Sequence, residues 1–403
     1  MSGTKDGDGK SSRVGKNEVA LLIGGQRFEG WQELRITRGV EIIPSSFDFE
    51  ATQIYPGRLQ PFSINPGAEC QVSIGENIVL TGFVDRYSPS LSKKSGHSVR
   101  IMGRGKCQDL VDCSAYLRGL QNQVRAASSR KVIEALCNLF GITVTARDGD
   151  GEVVPQFNVI LTETCWDIID RVARHSQMLA YEGADGNLIL SRVARESMSS
   201  GLQEGTNIER AAIAFSMDQR YSLYEAVFMT TETLADVAAA TGNQGYNTRA
   251  RALDETVGAD QPKTGRRFRP LVITAEVGFG TGNPAERRAN WEKARRYGRS
   301  QAIRVTTDSW RDKAGRLWEP NTFLDLDLPS MGLKQRSWLI SEVTYSRGRE
   351  GTHADLVLMP KEAFEPQPIL LQPFDRQVAE ALAQNDALRA GGAFRTSGTG
   401  PGV

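Results

Sequence analysis

Apolar and polar residues alternate along two separate stretches of the chain, and this period of two is typical of half-buried β-strands. In the first stretch, residues 18–105, the alternating segments are Leu34-Arg35-Ile36, Phe47-Asp48-Phe49, Val72-Ser73-Ile74 and Val99-Arg100-Ile101. Turn residues such as Pro66-Gly67 separate them. The pattern therefore predicts a first β domain over residues 18–105.

Helical spacing replaces the alternation over residues 106–205 and predicts an α/β insertion domain there. Ser129 is the predicted N-cap of a first helix, which Gly141 ends. Its apolar face should comprise Val132, Ile133, Leu136, Leu139 and Phe140.

A second helix in the same region should begin at Thr164, because Asp167 stands three residues on, as a capping box requires. It is expected to bury Trp166, Ile169 and Val172. The sequence Ala184-Asp185-Gly186-Asn187 predicts the turn of a β-hairpin that leads into Leu188-Ile189-Leu190.

Alternation returns over residues 206–230 and 300–365, which predicts a second β domain interrupted by an insertion at 231–299. In its last part, Leu324, Leu326 and Leu328 alternate with aspartates. The insertion contains an expected strand at 271–273 and a helix over 284–299. That helix should have Asn283 as its cap, Pro284 in its first turn and Glu286 closing the box, and it carries Arg287, Arg288, Lys293, Arg295, Arg296 and Arg299.

The two β stretches share an internal pattern. Gly82-Phe83-Val84-Asp85-Arg86-Tyr87-Ser88 leads past a glycine to Val99-Arg100-Ile101-Met102. Ile340-Ser341-Glu342-Val343-Thr344-Tyr345-Ser346 leads in the same way to Leu356-Val357-Leu358-Met359. Because each unit follows an alternating strand, we interpret the pattern as a duplicated, barrel-like β domain.

The ends of the chain and its composition complete the domain picture. Residues 1–17 are rich in Gly, Ser, Lys and Asp and predict a disordered arm, and residues 366–403 predict a C-terminal tail with a short helix over 377–389. A formal net charge of +1 disfavours a general electrostatic attraction to nucleic acid or membranes, and no apolar run predicts a membrane span. Five cysteines without a C-x-x-C pair indicate reduced thiols.

Motifs that carry chemistry are sparse. Gly278-Phe279-Gly280-Thr281-Gly282 has Asn283 where a dinucleotide fingerprint needs its third glycine. The histidines His97, His175 and His353 are too far apart for a local metal site. Asp325 and Asp327 share one face of a strand, where alternating acids are more often a solvated surface than a pair of catalytic carboxylates. We therefore predict no catalytic, cofactor-binding or metal-binding residues and no cofactor.

Two segments resemble a known family. Residues 101–115, Ile-Met-Gly-Arg-Gly-Lys-Cys-Gln-Asp-Leu-Val-Asp-Cys-Ser-Ala, are similar to a signature of Mu-type phage baseplate hub proteins. Residues 310–321 and 339–345 resemble the distal barrel of the same family, and 267–273 and 351–364 continue the likeness. The family differs at Lys106-Cys107-Gln108, where small or polar residues are usual.

The resemblance implies an α+β, mainly β fold with two tail-tube-like β-barrel domains and α/β insertions. It implies a structural hub of a contractile tail baseplate, located in the virion and assembled in the host cytoplasm. The expected partners are two further copies in a homotrimer, the tail tube or its adaptor, the central spike, inner baseplate proteins, and DNA in transit. The alternatives are the hub of a domesticated contractile particle of the pyocin or type VI kind, or a carbohydrate-binding tail-tip protein.

Overall fold

The computed structural model describes residues 15–52, 64–92, 96–116, 123–160, 162–193, 196–228, 249–262, 265–275 and 284–367. Its first region is the β stretch that alternation predicts. The strands are β1 Val19–Ile23, β2 Gln26–Phe28, β3 Glu33–Gly39, β4 Ser46–Thr52, β5 Glu69–Ile74, β6 Asn77–Ser92 and β7 Gly96–Gly105.

The α/β insertion follows in the chain. Its elements are α1 Gln108–Asp112, β8 Gln123–Ser128, α2 Ser129–Cys137, a 3-10 turn Asn138–Phe140, β9 Val144–Ala146, β10 Val153–Asn158, α3 Cys165–His175, β11 Leu179–Glu182 and β12 Leu188–Ser191.

The remaining elements belong to the second β block and its insertion. They are β13 Leu202–Gln203, β14 Arg210–Phe215, β15 Leu223–Phe228, β16 Arg249–Leu253, β17 Pro270–Ala275, α4 Pro284–Arg299, β18 Gln301–Thr307, β19 Phe323–Leu328, the 3-10 turn Pro329–Met331, β20 Leu333–Gly348, β21 Gly351–Met359 and the 3-10 turn Lys361–Phe364. None of the helices in this described part combines the length and the apolar character that crossing a bilayer requires.

Both β blocks join in one 13-stranded sheet, with the order β14-β18-β21-β20-β3-β4-β7-β6-β5-β1-β2 and with β13 and β19 as a side branch. The 16-residue strand β20 makes the join. One of its edges pairs with β21. The other edge pairs with β19 as far as Leu339 and with β3 from Glu342 onward. The mainly β class is confirmed, but the described strands close no barrel, so two separate barrels are not confirmed.

The registers of the sheet repeat between the two blocks. In each block a long strand forms a hairpin with the next strand and carries a β-bulge, between Val84 and Arg86 in β6 and between Ile340 and Glu342 in β20. Aligning the bulges superimposes β3, β4, β7 and β6 on β14, β18, β21 and β20 in register. The duplication is therefore visible in strand pairing as well as in sequence.

The bulges correct one detail of the predicted repeat. Tyr87 lies opposite Ile101, which makes Val343, opposite Leu356, its equivalent. The sequence pattern had matched Tyr87 with Tyr345. The two bulges do not fall at the same place in the matched segments, and an inserted residue shifts every later side chain along the strand.

One hydrophobic core runs beneath the joined sheet and draws side chains from both blocks. Trp310, Trp318 and Trp338 are buried in it with Tyr345. Trp318 and Leu326 are 1% and 0% exposed, so both lie in the core. The indole nitrogens of Trp310 and Trp318 donate to the carbonyls of His353 and Ser309, at 2.9 Å each. These bonds let the large rings be buried without an unsatisfied donor on either of them.

The first insertion matches its predicted elements with three corrections. The N-cap of α2 is Ser128, whose hydroxyl accepts from Lys131 N, and not Ser129. Leu139 is 39% exposed, because the helix tightens into a 3-10 turn after Cys137 and rotates Leu139 off the buried face. Thr164 and Asp167 form the predicted capping box of α3. Ile169 and Val172 are fully buried there, whereas Trp166 is partly buried.

The second insertion begins before residue 231, where alternation predicts its start. Strand β15, expected in the second β block, instead lies between β16 and β17 in a separate three-stranded sheet. Helix α4 covers this sheet, with Ala285 and Ala289 against Tyr224 and Ala226. Small helical residues allow the close approach that makes this pairing favourable. The predicted cap Asn283, the glycine loop at 278–282 and the helix at 377–389 lie outside the described residues.

We expect Trp318→Ala to destabilise the protein by about 3–5 kcal/mol, because truncating a buried aromatic residue removes transfer free energy and leaves a cavity. The melting temperature of the purified variant measures this effect. Val272→Ala is the matched control, because Val272 is 64% exposed. Equal melting temperatures for the two variants would contradict the core assignment.

Candidate assembly surfaces

The junction between the two blocks is closed by side chains as well as by backbone. Thr37 and Thr344 stand opposite each other, and their hydroxyl oxygens are 3.0 Å apart. Tyr345, opposite Ile36, donates its hydroxyl to the Trp318 carbonyl. Burial raises the pKa of Tyr345 well above its usual range, so this hydroxyl keeps its proton. The junction is therefore an interior contact that side-chain hydrogen bonds reinforce.

Arg311 fastens Lys16 and Asn17, which precede β1, to the second block. Its guanidinium donates to the carbonyls of Lys16 and Ile74, at 2.9 and 3.0 Å, and to the side-chain oxygens of Asn17 and Asn77. Burial lowers the pKa of Arg311. Residues 15–17, predicted as the end of a disordered arm, are thus held in place, because their carbonyls supply acceptors to a partly desolvated cation.

Glu182 fastens the first insertion to the first block. It is 4% exposed, and its two carboxylate oxygens accept from the backbone N–H groups of Ser45 and Cys107, at 2.7 and 2.8 Å. Burial raises its pKa, and the two N–H donors offset part of that rise. A side chain at Gly105 would place its Cβ 2.0 Å from the carboxylate, so only glycine fits beside it.

Two arginines of α4, Arg295 and Arg299, are engaged within the chain. Arg295 and Arg299 donate to the Ala363 carbonyl at 3.0 and 3.1 Å, and both pair with Glu41. Burial lowers the pKa of Arg295. The helix approaches this segment closely at Gly298, where a Cβ would lie 2.2 Å from Ala363 N. The basic helix is therefore an internal clamp on residues 361–367, and sequence reasoning missed these partners.

Asp325 and Asp327 lie together on the open face of β19, as predicted. The leucines Leu324 and Leu326 point to the core from the opposite face. The two aspartates line a cavity of about 260 Å³ that Lys313 and Gln335 also border. The acids are therefore brought together on a solvated surface, next to a cation.

The other predicted ligand types do not converge. The hydrogen bond between His353 and the Glu350 carbonyl, at 2.9 Å, raises the pKa of the imidazole, and the contact with Glu209 at 2.6 Å adds to the rise. Within the described ranges no group of three or more His, Cys, Asp or Glu side chains is placed to hold a metal ion. The five cysteines form no disulfide, and four of them are buried. Burial raises the pKa of Cys70 to about 12, which makes its thiol unreactive at neutral pH.

Three family models match this chain and define its class. Residues 18–105 match the N-terminal domain of Mu phage baseplate assembly protein GpP-like, and 107–192 match the second domain of baseplate hub protein gp44-like. Residues 281–367 match the fourth domain of Mu phage baseplate assembly protein GpP. The chain belongs to the Mu-type phage baseplate hub proteins, as the resemblance in residues 101–115 indicates.

Individual relatives agree with this class. The chain is 28% identical to the baseplate hub protein gp44 of Escherichia phage Mu over 352 residues, covering 86% of this chain and 89% of the relative. It is similar to the 43 kDa tail protein of prophage MuSo2 from Shewanella oneidensis, with 27% identity, a TM-score of 0.73, and 87% and 99% coverage. A tail protein from Neisseria meningitidis MC58 shares the fold, with 19% identity, a TM-score of 0.68, and 87% and 98% coverage.

We expect Glu182→Gln to lower the free energy of unfolding by about 1–3 kcal/mol, because an amide NH₂ group would then face a buried N–H and leave it unsatisfied. Urea unfolding measures the change. Glu286→Gln on the exposed side of α4 is the control. An unchanged unfolding midpoint for Glu182→Gln would show that the carboxylate does not hold the insertion.

Proposed function

We propose that three copies of this hub protein form a ring that joins a six-fold tail tube to a three-fold central spike. The observation that carries the proposal is the in-register repeat, by which each chain supplies two equivalent four-strand units. Three chains then supply six such units. A duplicated unit in a trimer is a direct way to match six-fold to three-fold symmetry.

The proposed ring sits in the tail baseplate of the virion and assembles in the host cytoplasm. Its partners are the tail tube or tube adaptor on one side, the spike on the other, and inner baseplate proteins around it. A domesticated contractile particle of the same architecture would use the ring in the same way. The support for these partners is the family assignment, together with the repeated units that a tube of equivalent subunits would match.

DNA crosses the proposed ring during ejection without binding tightly. Each phosphate contact to a free cation would add salt-dependent affinity and slow the transit. Asp325 and Asp327 on the open face of the sheet fit a lumen that does not attract phosphates. On the same face of the first block, Arg100 pairs with Asp48, and Arg104 pairs with Asp85 and Asp112. These pairings compensate the charges of Arg100 and Arg104.

We propose that the protein is structural and has no enzymatic activity. The paired aspartates of β19 lie on a solvated face of the sheet, in an open cavity that Lys313 also borders. The arginines and the buried glutamate described above are used to hold segments of the chain together. Each of these groups has a structural role, which leaves the function to surfaces that contact other proteins.

Analytical ultracentrifugation should detect a species of three 44.2 kDa chains, formed as the concentration rises or when the tube or spike partner is added. The chain alone at low concentration is the control for the monomer. A stable dimer, or a ring of six identical chains, would contradict the proposed symmetry.

Purified protein should leave peptidoglycan intact in a zymogram, because no catalytic arrangement of acidic residues is present in the part of the chain that the structure describes. A lysozyme lane on the same gel verifies the assay. Clearing that disappears in Asp325→Asn or Asp327→Asn would overturn the structural assignment and make this strand a catalytic site.

A further inference from the structure

Inside the chain, β3 of the first unit pairs with β20 of the second unit. The two equivalent strands, β14 of the second unit and β6 of the first, do not pair with each other among the described strands. Strand β20 pairs with β3 beyond its bulge. By the repeat, β6 is equivalent to β20 and β14 is equivalent to β3. We propose that β6 of one copy pairs with β14 of the next copy, in the register that β20 and β3 show. This inference rests on the proposed ring and names the surfaces that close it.

Strand β14 is the final strand of the joined sheet and pairs only with β18 among the described strands. The bond from Ser216 N to the Ser300 carbonyl shows which residues of β14 direct their backbone groups toward β18. Backbone groups alternate in direction along a strand, so those of Ala211, Ile213 and Phe215 point away from β18. The outer edge has no proline, and its only charged residue is Arg210 at one end. Strands of this kind readily accept another strand.

The matching edge belongs to the second half of β6. Strand β5 pairs with β6 only as far as Phe83, and beyond that point β7 is the only partner strand that the structure describes. In β20, the bond from Val40 N to the Ser341 carbonyl shows which residues face β3. Pro89 and Leu91 of β6 are equivalent to Tyr345 and Arg347 of β20, which face β3. The backbone groups of Pro89 and Leu91 therefore point away from β7, toward the open edge. Proline is tolerated there because its missing N–H faces away from β7.

When the register of β20 and β3 is applied to β6 and β14, apolar residues of the two strands fall opposite each other on one side of the sheet and small residues on the other. On the core side, Leu91 falls opposite Ala211 and Pro89 falls opposite Ile213. Leu91 and Phe215 are 73% and 60% exposed in the isolated chain, and both would be covered. On the other side of the sheet the small residues Ser88 and Ser90 fall opposite Ala214 and Ala212. The two edges therefore match in polarity and in size.

The proposed contact uses different surfaces on the two partners. Such a head-to-tail contact builds a ring when the rotation between copies closes. The pairing of β20 with β3 lies within a chain, and the equivalent pairing of β6 with β14 would lie between chains. The two kinds of pairing would therefore alternate around the ring. The ladder would lack the one hydrogen bond that Pro89 cannot donate.

Disulfide cross-linking tests the register directly. Ser90 and Ala212 would form a pair without mutual backbone hydrogen bonds, for which Cα atoms are about 4.5 Å apart, a distance that a disulfide spans. We expect the double variant Ser90→Cys, Ala212→Cys to give covalent dimers and trimers on oxidation. The matched control is Ser88→Cys, Arg210→Cys, which is out of register by four residues, or about 14 Å. Its yield should be at least tenfold lower.

The mass of the oligomers in the same oxidised samples separates the hypothesis of a three-chain ring from the hypothesis that β6 pairs with β14. Trimers in which the Ser90–Ala212 pair cross-links no better than the control would overturn the proposed pairing and leave the ring standing. Cross-linked oligomers of another size would support the pairing and contradict three-fold symmetry. Monomers without cross-links would overturn both.

A charge placed at the proposed interface is an independent test. Phe215→Asp should raise the concentration needed for half-maximal association at least tenfold, because the carboxylate would be buried without a partner. Val272→Asp is the control, since Val272 is equally exposed on the separate sheet of the second insertion. Equal association of the two variants would count against β14 as the contact strand.

Discussion

Backbone pairing between β3 and β20 is the contact on which the remaining structure depends. A strand edge leaves N–H and carbonyl groups that must be bonded when they are buried. Strand β20 satisfies this need for both blocks, because its length lets one edge serve β19 and then β3. The two blocks consequently share one core and are held as one unit.

Charged side chains secure the segments that the sheet does not include. Glu182 holds the first insertion, Arg311 holds Lys16 and Asn17, and Arg295 and Arg299 of α4 hold residues 361–367. Each of these charges meets backbone groups, whose positions the fold fixes, and the arginines also meet side-chain oxygens. Such contacts make the orientation of the insertions specific, which a protein with several assembly partners requires.

Local structure was largely predictable from the sequence, because short-range physics decides it. Alternation located the strands, and Thr164 with Asp167 defined the start of α3. The junction of β3 with β20 and the pairing of β15 were not predictable, since both depend on contacts between distant residues. Glu182 gave one weak signal, a charge at the end of an apolar strand. Nothing in the spacing of the arginines of α4 reveals that Glu41 and the Ala363 carbonyl receive them.

The central claim is that each chain contributes two equivalent units to a three-chain ring. A cryo-electron microscopy reconstruction of tail particles, with this chain tagged, tests it most directly. We expect three copies at the baseplate centre, six repeated units around the channel, and Asp325 and Asp327 facing that channel. Six copies in the ring, or a channel lined by Arg288, Arg295 and Arg299, would contradict it.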